Sequence, residues 1–433
     1  MMFNFSLGSL IARGTFASSM LALGVVVNVA LLAWFKYANW ISLNLDKLGL
    51  WLGEPTSIIL PLAISFFTFE QISYLYDCKH GKVKPASPLE YAFFVTFFPK
   101  LIAGPIVRFK ELRSQIHTVH VSLATLAPGL TLFFIGLAKK LLVADYAANF
   151  VGPVFETAAT GRAISTWDAW LASLAYTFQL YFDFSGYTDM AIGLGLIFGI
   201  SLPINFYSPY KSTSIIEFWR RWHMTLSRFL RDYIYVPLGG SRRGNRRRYF
   251  NLILVMTIGG IWHGAGLTFL IWGALHGVYL AINHGFRMVK VPWVVIPFPL
   301  KLLSMVSGWA LTFVAVVVGW VFFRAENAST AFHMLNSMYK IVEVTPIIHD
   351  QRSVVFVLVA MLALCLFAPN TNQIIGRSQI DPKLTRSSLF PENYTSSVLE
   401  WRPTKVWGVI TGILVAIVLA TLSNPSPFLY FNF

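Results

Sequence analysis

Charge is what this 433-residue chain has least of. Only 12% of its residues are Asp, Glu, Lys or Arg, against about 25% in soluble domains, while 56% are hydrophobic and mean hydropathy is +0.61. That excludes a soluble globular protein and indicates an integral membrane protein. Cysteine is almost absent: Cys78 and Cys365 lie far apart, in neither a C-x-x-C nor a zinc pattern. Both are expected as unpaired thiols, and no metal site or bound cofactor is expected. Acidic residues are outnumbered, 19 against 34 basic, for a net charge of +15. The cations fall mostly in short loops between apolar runs, where topology and anionic headgroups account for them, so lipid is an expected partner and nucleic acid is not. Also missing are a Walker A loop, a G-x-S-x-G elbow, an H-E-x-x-H helix and a G-x-G-x-x-G turn after a strand. Their absence removes ATPase, serine hydrolase, zincin and dinucleotide-binding readings. No repeat or pair of matching halves is visible, which counts against a repeat-built transporter.

What is present is a series of apolar runs near the ~20 residues that a spanning helix needs, and a backbone in lipid must satisfy its own hydrogen bonds. The fold class is therefore all-α, a polytopic helical membrane protein forming one domain over residues 1–433. The expected spans are Leu21–Asn39, Ile58–Leu75, Leu123–Val143, Trp167–Tyr181, Trp309–Phe323, Val354–Phe367 and Val406–Leu422. The run from Leu21 to Phe35 has no small-x-small cleavage site and is a retained span. Tyr91–Ile106 is interrupted by Pro99, Lys100 and Gly104-Pro105, and Met190–Leu202 is short for a crossing. "SRRGNRRR", Ser241–Arg248, packs five arginines into eight residues and should be cytoplasmic. "GRSQIDPKLTR", Gly376–Arg386, reads the same way, whereas Asp145–Thr166 has few cations and reads as periplasmic. Parity then requires a re-entrant or interfacial segment between Asp183 and Arg248.

The best candidate for that segment is Ser212–Gly240. Phe218, Trp222, Leu226, Phe229 and Tyr233 recur at helical spacing, with Arg221, Arg228 and Asp232 on another face. This predicts one amphipathic helix at headgroup depth.

Two histidines stand in the apolar stretch "IGGIWHGAGLTFLIWGALHG", Ile258–Gly277. His263 is fifteen residues beyond Arg248, which at 1.5 Å per residue carries it roughly 20 Å inward. The glycines of "HGAG" predict a helix break at the imidazole, and ionisable groups at such depth usually line a path or a site. A neutral histidine bridging two helices is the bland alternative. His276 falls on nearly the opposite face of a continuous helix, and packing is its expected role. His223 follows Arg220 and Arg221, which could hold a coenzyme phosphate or simply meet lipid phosphate. In "YFDFSGYTDMAIGLG", Tyr181–Gly195, Asp183 and Asp189 are six residues apart and would not form a dyad. Asp183 could orient a histidine or line a cavity; capping of helix ends by both aspartates is the alternative.

The stretch from "FDFSGYTDM" through "EFWRRWHMTLSRFLRDYIYVPLGG" to "GGIWHGAGLTFLIWGALHG" resembles the membrane-bound O-acyltransferase family. "WFKYANW", "AISFFTFEQISYLYD" and "FFPKLIAGPIVRFKEL" extend the likeness over residues 32–284. The nearest resemblance is to the bacterial branch of alginate and peptidoglycan O-acetylation membrane proteins. It implies a bundle with re-entrant and interfacial helices around a funnel, in the bacterial inner membrane. It implies acyl transfer, with the family's histidine on His263 and a second motif histidine on His223. Asp183, Ser185, Tyr187, Trp222, Arg220, Arg221, Arg231 and Trp262 form the expected supporting or donor-binding set. The implied donor is acetyl-CoA or a carrier thioester, and the implied partner is a periplasmic or membrane-anchored SGNH-type transferase acting on a polysaccharide. Relatives of this branch carry further segments before "KYANW", whereas about thirty residues precede it here; a late start or a shorter architecture is expected. An acyl-export channel without chemistry, or a structural subunit, are the competing readings.

Overall fold

The computed structural model describes residues 1–14, 16–50, 58–288, 298–376, 399–422 and 428–429. Their regular structure is helical throughout, with no strand among the described residues, as the all-α reading expects. Among the described residues three helices are long and apolar enough to cross a membrane: Ala17–Lys47, Leu123–Ala148 and Phe298–Arg324. Gln351–Phe367 and Lys405–Thr421 are shorter apolar helices close to two expected spans, and Met2–Ala12 is an apolar helix that was not foreseen. Residues 377–386 of the second basic loop lie outside the described residues.

The middle of the bundle is one 32-residue helix, Thr166–Ile197, begun by Ser165, whose hydroxyl accepts from the Asp168 N–H. The sequence reading splits this helix into a span and a short segment, with capping of helix ends as the alternative role for Asp183 and Asp189. The structure corrects that: both aspartates are buried in mid-helix. Lys140 Nζ lies 2.8 Å from Asp183 and Lys139 Nζ 2.5 Å from Asp189. Both lysines sit on a π-helical turn, Lys139–Ala144, that widens the neighbouring helix. The two helices approach so closely there that a Cβ on Gly186 would stand 2.6 Å from the Gly136 carbonyl oxygen.

The expected span Ile58–Leu75 is also corrected. Pro61 delays the helix to Ile64, and it then runs to Lys79 with most residues buried. Tyr91–Ile106 is broken, as expected, into a Pro88–Thr96 helix and a short 3-10 turn over Phe98–Lys100. Lys100 is buried there because its ammonium bonds both oxygens of Glu70, at 2.6 and 2.7 Å.

Candidate active site

His263 ends the helix Gly244–His263, and Gly264 leaves it in an extended conformation. After Gly266 the chain returns as Leu267–Phe286. The hairpin closes on small residues: a Cβ on Gly260 would be 3.0 Å from the Gly273 Cα, and one on Gly277 would be 2.6 Å from the Ile253 Cα. Such backbone proximity is how helices associate where water supplies no hydrophobic drive. The break expected from "HGAG" therefore falls at the imidazole. The His263 ring is buried among Trp262, Trp272 and Phe323, with ring centroids 4.9, 5.2 and 5.2 Å away.

His223 arrives by a different device. The stretch Ser212–Gly240 is not one interfacial helix but two short ones, Ile215–Arg221 and Met224–Leu230, followed by a π-helical turn over Arg231–Tyr235. Between them Trp222 is extended, and His223 takes a left-handed φ of 41°. A non-glycine residue holds such a conformation only where its surroundings impose it. Here they do: the Tyr207 N–H donates to the Arg221 carbonyl and the Met224 N–H to the Asn205 carbonyl, both at 2.9 Å. The charges assigned to a headgroup face also find protein partners, Arg221 with Glu217, Arg228 with Glu111 and Asp232 with Arg108.

The break turns His223 into the bundle, where it is fully buried and its ring lies 6.3 Å from that of His263. Asn205 Oδ1 accepts from the Thr225 N–H at 3.1 Å and from the Thr225 hydroxyl at 2.9 Å. A backbone amide can only donate, so the third contact to that oxygen, His223 Nδ1 at 3.1 Å, is also a donor. The proton is on Nδ1 and the lone pair is on Nε2, the form that can accept a proton.

The structure brings His263, His223 and Trp262 together. Trp262 stacks on Phe69 at 4.7 Å and donates to the Ser65 carbonyl. Trp222 is buried against Phe206 and Trp320, which adjoins Trp272 and through it His263. Asp183 bonds Lys140 and the Leu429 N–H rather than a histidine. Ser185 is buried near it, and Tyr187 packs on Phe428. Arg221 bonds Glu217 and the Tyr207 carbonyl, Arg231 bonds Asp232, and Arg220 is exposed. His276 is buried between Trp219, which donates to its Nδ1 at 3.3 Å, and Trp272.

Sequence reasoning missed Asn205, Trp272, Phe323 and Lys36. The Lys36 ammonium donates to the carbonyls of both Trp262 and His263. A charged residue inside an apolar run was itself the signal. A cavity of about 90 Å³ opens beside His263, lined by Lys36, Leu60, Ser65, Phe66, Ile102 and Trp262 among others. Among the described residues no group of three His, Cys, Asp or Glu side chains is arranged to hold a metal.

A deep pair of imidazoles in an aromatic pocket suits proton transfer away from water. Comparison with known proteins points the same way. The profile of the membrane-bound O-acyltransferase family matches residues 10–323. The chain is 41% identical over 429 residues to a protein of Pseudomonas putida named probable alginate O-acetylase AlgI, a match covering 96% of this chain and 85% of that protein. It is 39% identical over 446 residues to the peptidoglycan O-acetyltransferase of Helicobacter pylori, covering 95% and 82% respectively. It is also 30% identical over 288 residues to the teichoic acid D-alanyltransferase of Bacillus subtilis, covering 63% of this chain and 70% of that one. With its buried histidine pair and a family match across most of its length, this chain belongs to the membrane-bound O-acyltransferase family, whose members are acyltransferases.

Proposed function

We propose that this protein moves an acetyl group from a cytoplasmic thioester toward a hydroxyl of an extracytoplasmic polysaccharide, with His263 as general base and His223, whose Nε2 presents a lone pair, orienting the reacting groups. The observation that carries the reading is the histidine pair, 6.3 Å apart and walled by Trp262, Trp272 and Phe323. In the transfer step the acceptor oxygen attacks the thioester carbonyl while His263 takes its proton. The C–S bond breaks, and the imidazolium returns the proton to the departing thiolate. Positioned base catalysis of this kind supplies about 10² to 10⁴ in rate. The tryptophan and phenylalanine walls keep water from the thioester.

Two features support entry of the donor and the acceptor from opposite sides. On the side of the arginine-rich loop, a groove of about 360 Å³ is lined by Leu230, Leu252, Val255, Met256 and Leu280 together with Arg231 and Arg248. Arg248 donates to His284 at 2.6 Å, and Arg220 and Arg287 bear electrostatically on the same imidazole. An apolar groove beside arginines fits a pantetheine-type thioester with its phosphates. The smaller cavity lies at the other end of the His263 helix, where an acceptor would arrive. The names of the relatives, which concern alginate, peptidoglycan and teichoic acid, support an envelope polymer as the final acceptor. An SGNH-type partner is our assignment for the final hand-over, and the inner membrane is our assignment for the location.

The test is reconstitution of the full chain in vesicles with labelled acetyl-CoA, with and without the candidate soluble transferase. Transfer of label that depends on the protein, and its loss in a folded His263→Ala variant, is the expected result. Full transfer by that variant overturns the assignment of the base. Passage of label across the bilayer with no new covalent bond favours the export-channel reading instead.

A further inference from the structure

A helix that ends inside an apolar bundle leaves its last carbonyls without helical partners, and in a membrane each such orphan is costly. The His263 helix ends in this way. Its last three carbonyls are all met from one neighbouring helix, Ala17–Lys47. The Tyr37 hydroxyl donates to the Ile261 carbonyl. Lys36 Nζ donates to the Trp262 carbonyl at 2.6 Å and to the His263 carbonyl at 2.7 Å, and reaches Ser65 Oγ at 3.4 Å.

The usual glycine cap is not used here. Gly264 is extended, with φ −161°, and not left-handed. The cation replaces it, at the helix end where positive charge is favoured. An ammonium has three donors, and these contacts engage all three, so Lys36 is not free to grip a substrate. The same ammonium lies 6.0 Å from the centroid of Trp262, so one side chain restrains both the backbone that carries the imidazole and the ring beside it.

We propose that Lys36 is a positioning residue for acyl transfer: it caps the His263 helix within the membrane and thereby fixes where the imidazole stands. Tyr37 extends the cap by one carbonyl. The proposal rests on the reading of His263 as the base and goes beyond it by naming what holds that base in place. Without the cap, the last turn is free to fray and rotate, and a displacement of about 1 Å at a reacting group costs roughly 10²-fold in rate.

The experiment compares full-length Lys36→Ala, Lys36→Gln, Lys36→Arg, Tyr37→Phe and His263→Ala proteins in the same vesicles. Lys36→Ala should lose about 100-fold in kcat with the KM for donor within about threefold. Lys36→Gln, which still donates hydrogen bonds, should lose less, and Tyr37→Phe less again. Methylammonium, small enough for the cavity that Lys36 lines, should restore at least about tenfold of the kcat lost by Lys36→Ala and leave His263→Ala inactive. Unchanged kcat in Lys36→Ala, alongside an inactive His263→Ala, overturns the cap and leaves the base standing. Loss of kcat in step with loss of folded protein across Ala, Gln and Arg variants, with no rescue by methylammonium, also overturns it, because only general folding is then at stake. Full activity in His263→Ala overturns the reading of the base itself.

Discussion

Asn205 accepts the Nδ1 proton of His223 at 3.1 Å, and the same oxygen holds both the amide and the hydroxyl of Thr225. One buried side chain therefore fixes a histidine's tautomer and the start of the helix that follows it. Asn205→Leu strands three donors, and each buried donor left unsatisfied costs about 1–3 kcal/mol. Thermal unfolding in detergent should show a clear loss of stability. Turnover of the fraction that folds should fall by about 10- to 100-fold, because the Nδ1 proton is no longer held. Asn205→Asp, which keeps the acceptor, should retain more of both. Wild-type turnover in a folded Asn205→Leu protein contradicts a role for this bond.

Glu70 and Lys100 form a buried pair at 2.6 Å, with the Lys100 ammonium 4.8 Å from the Phe94 ring centroid. Removing one partner leaves a buried charge uncompensated, at about 3–5 kcal/mol. Glu70→Gln should accordingly unfold at a much lower temperature. The double variant Glu70→Gln, Lys100→Met should recover most of that loss, because no unpaired charge remains. A double variant less stable than Glu70→Gln would show that the pair contributes more than charge balance.

Asp183 shares Lys140 with Asp145, which lies 2.6 Å from the same ammonium. Asp183→Asn still leaves that lysine one carboxylate, so its cost should be smaller than that of Glu70→Gln, about 1–3 kcal/mol. Since Asp183 bonds a lysine and not a histidine, turnover per folded molecule should change by only a few-fold. A loss of kcat as large as that of His263→Ala, in folded protein, would instead place Asp183 in the chemistry.

Gly260 faces Gly273 across the hairpin at a distance that admits no side chain. Gly260→Val forces the two helices apart, and overpacking of this kind costs about 1–3 kcal/mol or more. Both yield of folded protein and turnover should drop. Gly412, on Lys405–Thr421, has no atom of the described residues within 4 Å of an added Cβ, so Gly412→Ala should be neutral or stabilising by up to about 1 kcal/mol. Equal effects of the two substitutions on yield and activity refute the packing argument.

The all-α class and the place of His263 were legible for local reasons. An arginine-rich loop gives the depth, and the glycines after the histidine give the break. The approach of His223 was not legible. Phe218, Trp222, Leu226, Phe229 and Tyr233 keep a helical period straight through the break. What interrupts that helix is backbone pairing with Asn205 and Tyr207, and local periodicity carries no record of it. The partners of Asp183 and Asp189 were not legible, whether as histidine, cavity or helix cap, because the lysines that neutralise them stand on another helix. Lys36 announced itself as a charge in an apolar run, yet the carbonyls it meets are more than two hundred residues away.

Both thiols, at Cys78 and Cys365, are unpaired and enclosed by the bundle. For a membrane-impermeant maleimide, the native chain is therefore silent. A single cysteine introduced at Asn245, exposed on the first turn of the His263 helix within the arginine-rich stretch, should then report alone, without prior removal of the natural thiols. The sidedness of that stretch, on which the proposed direction of acyl transfer rests, can be read chemically in a background that has not been altered.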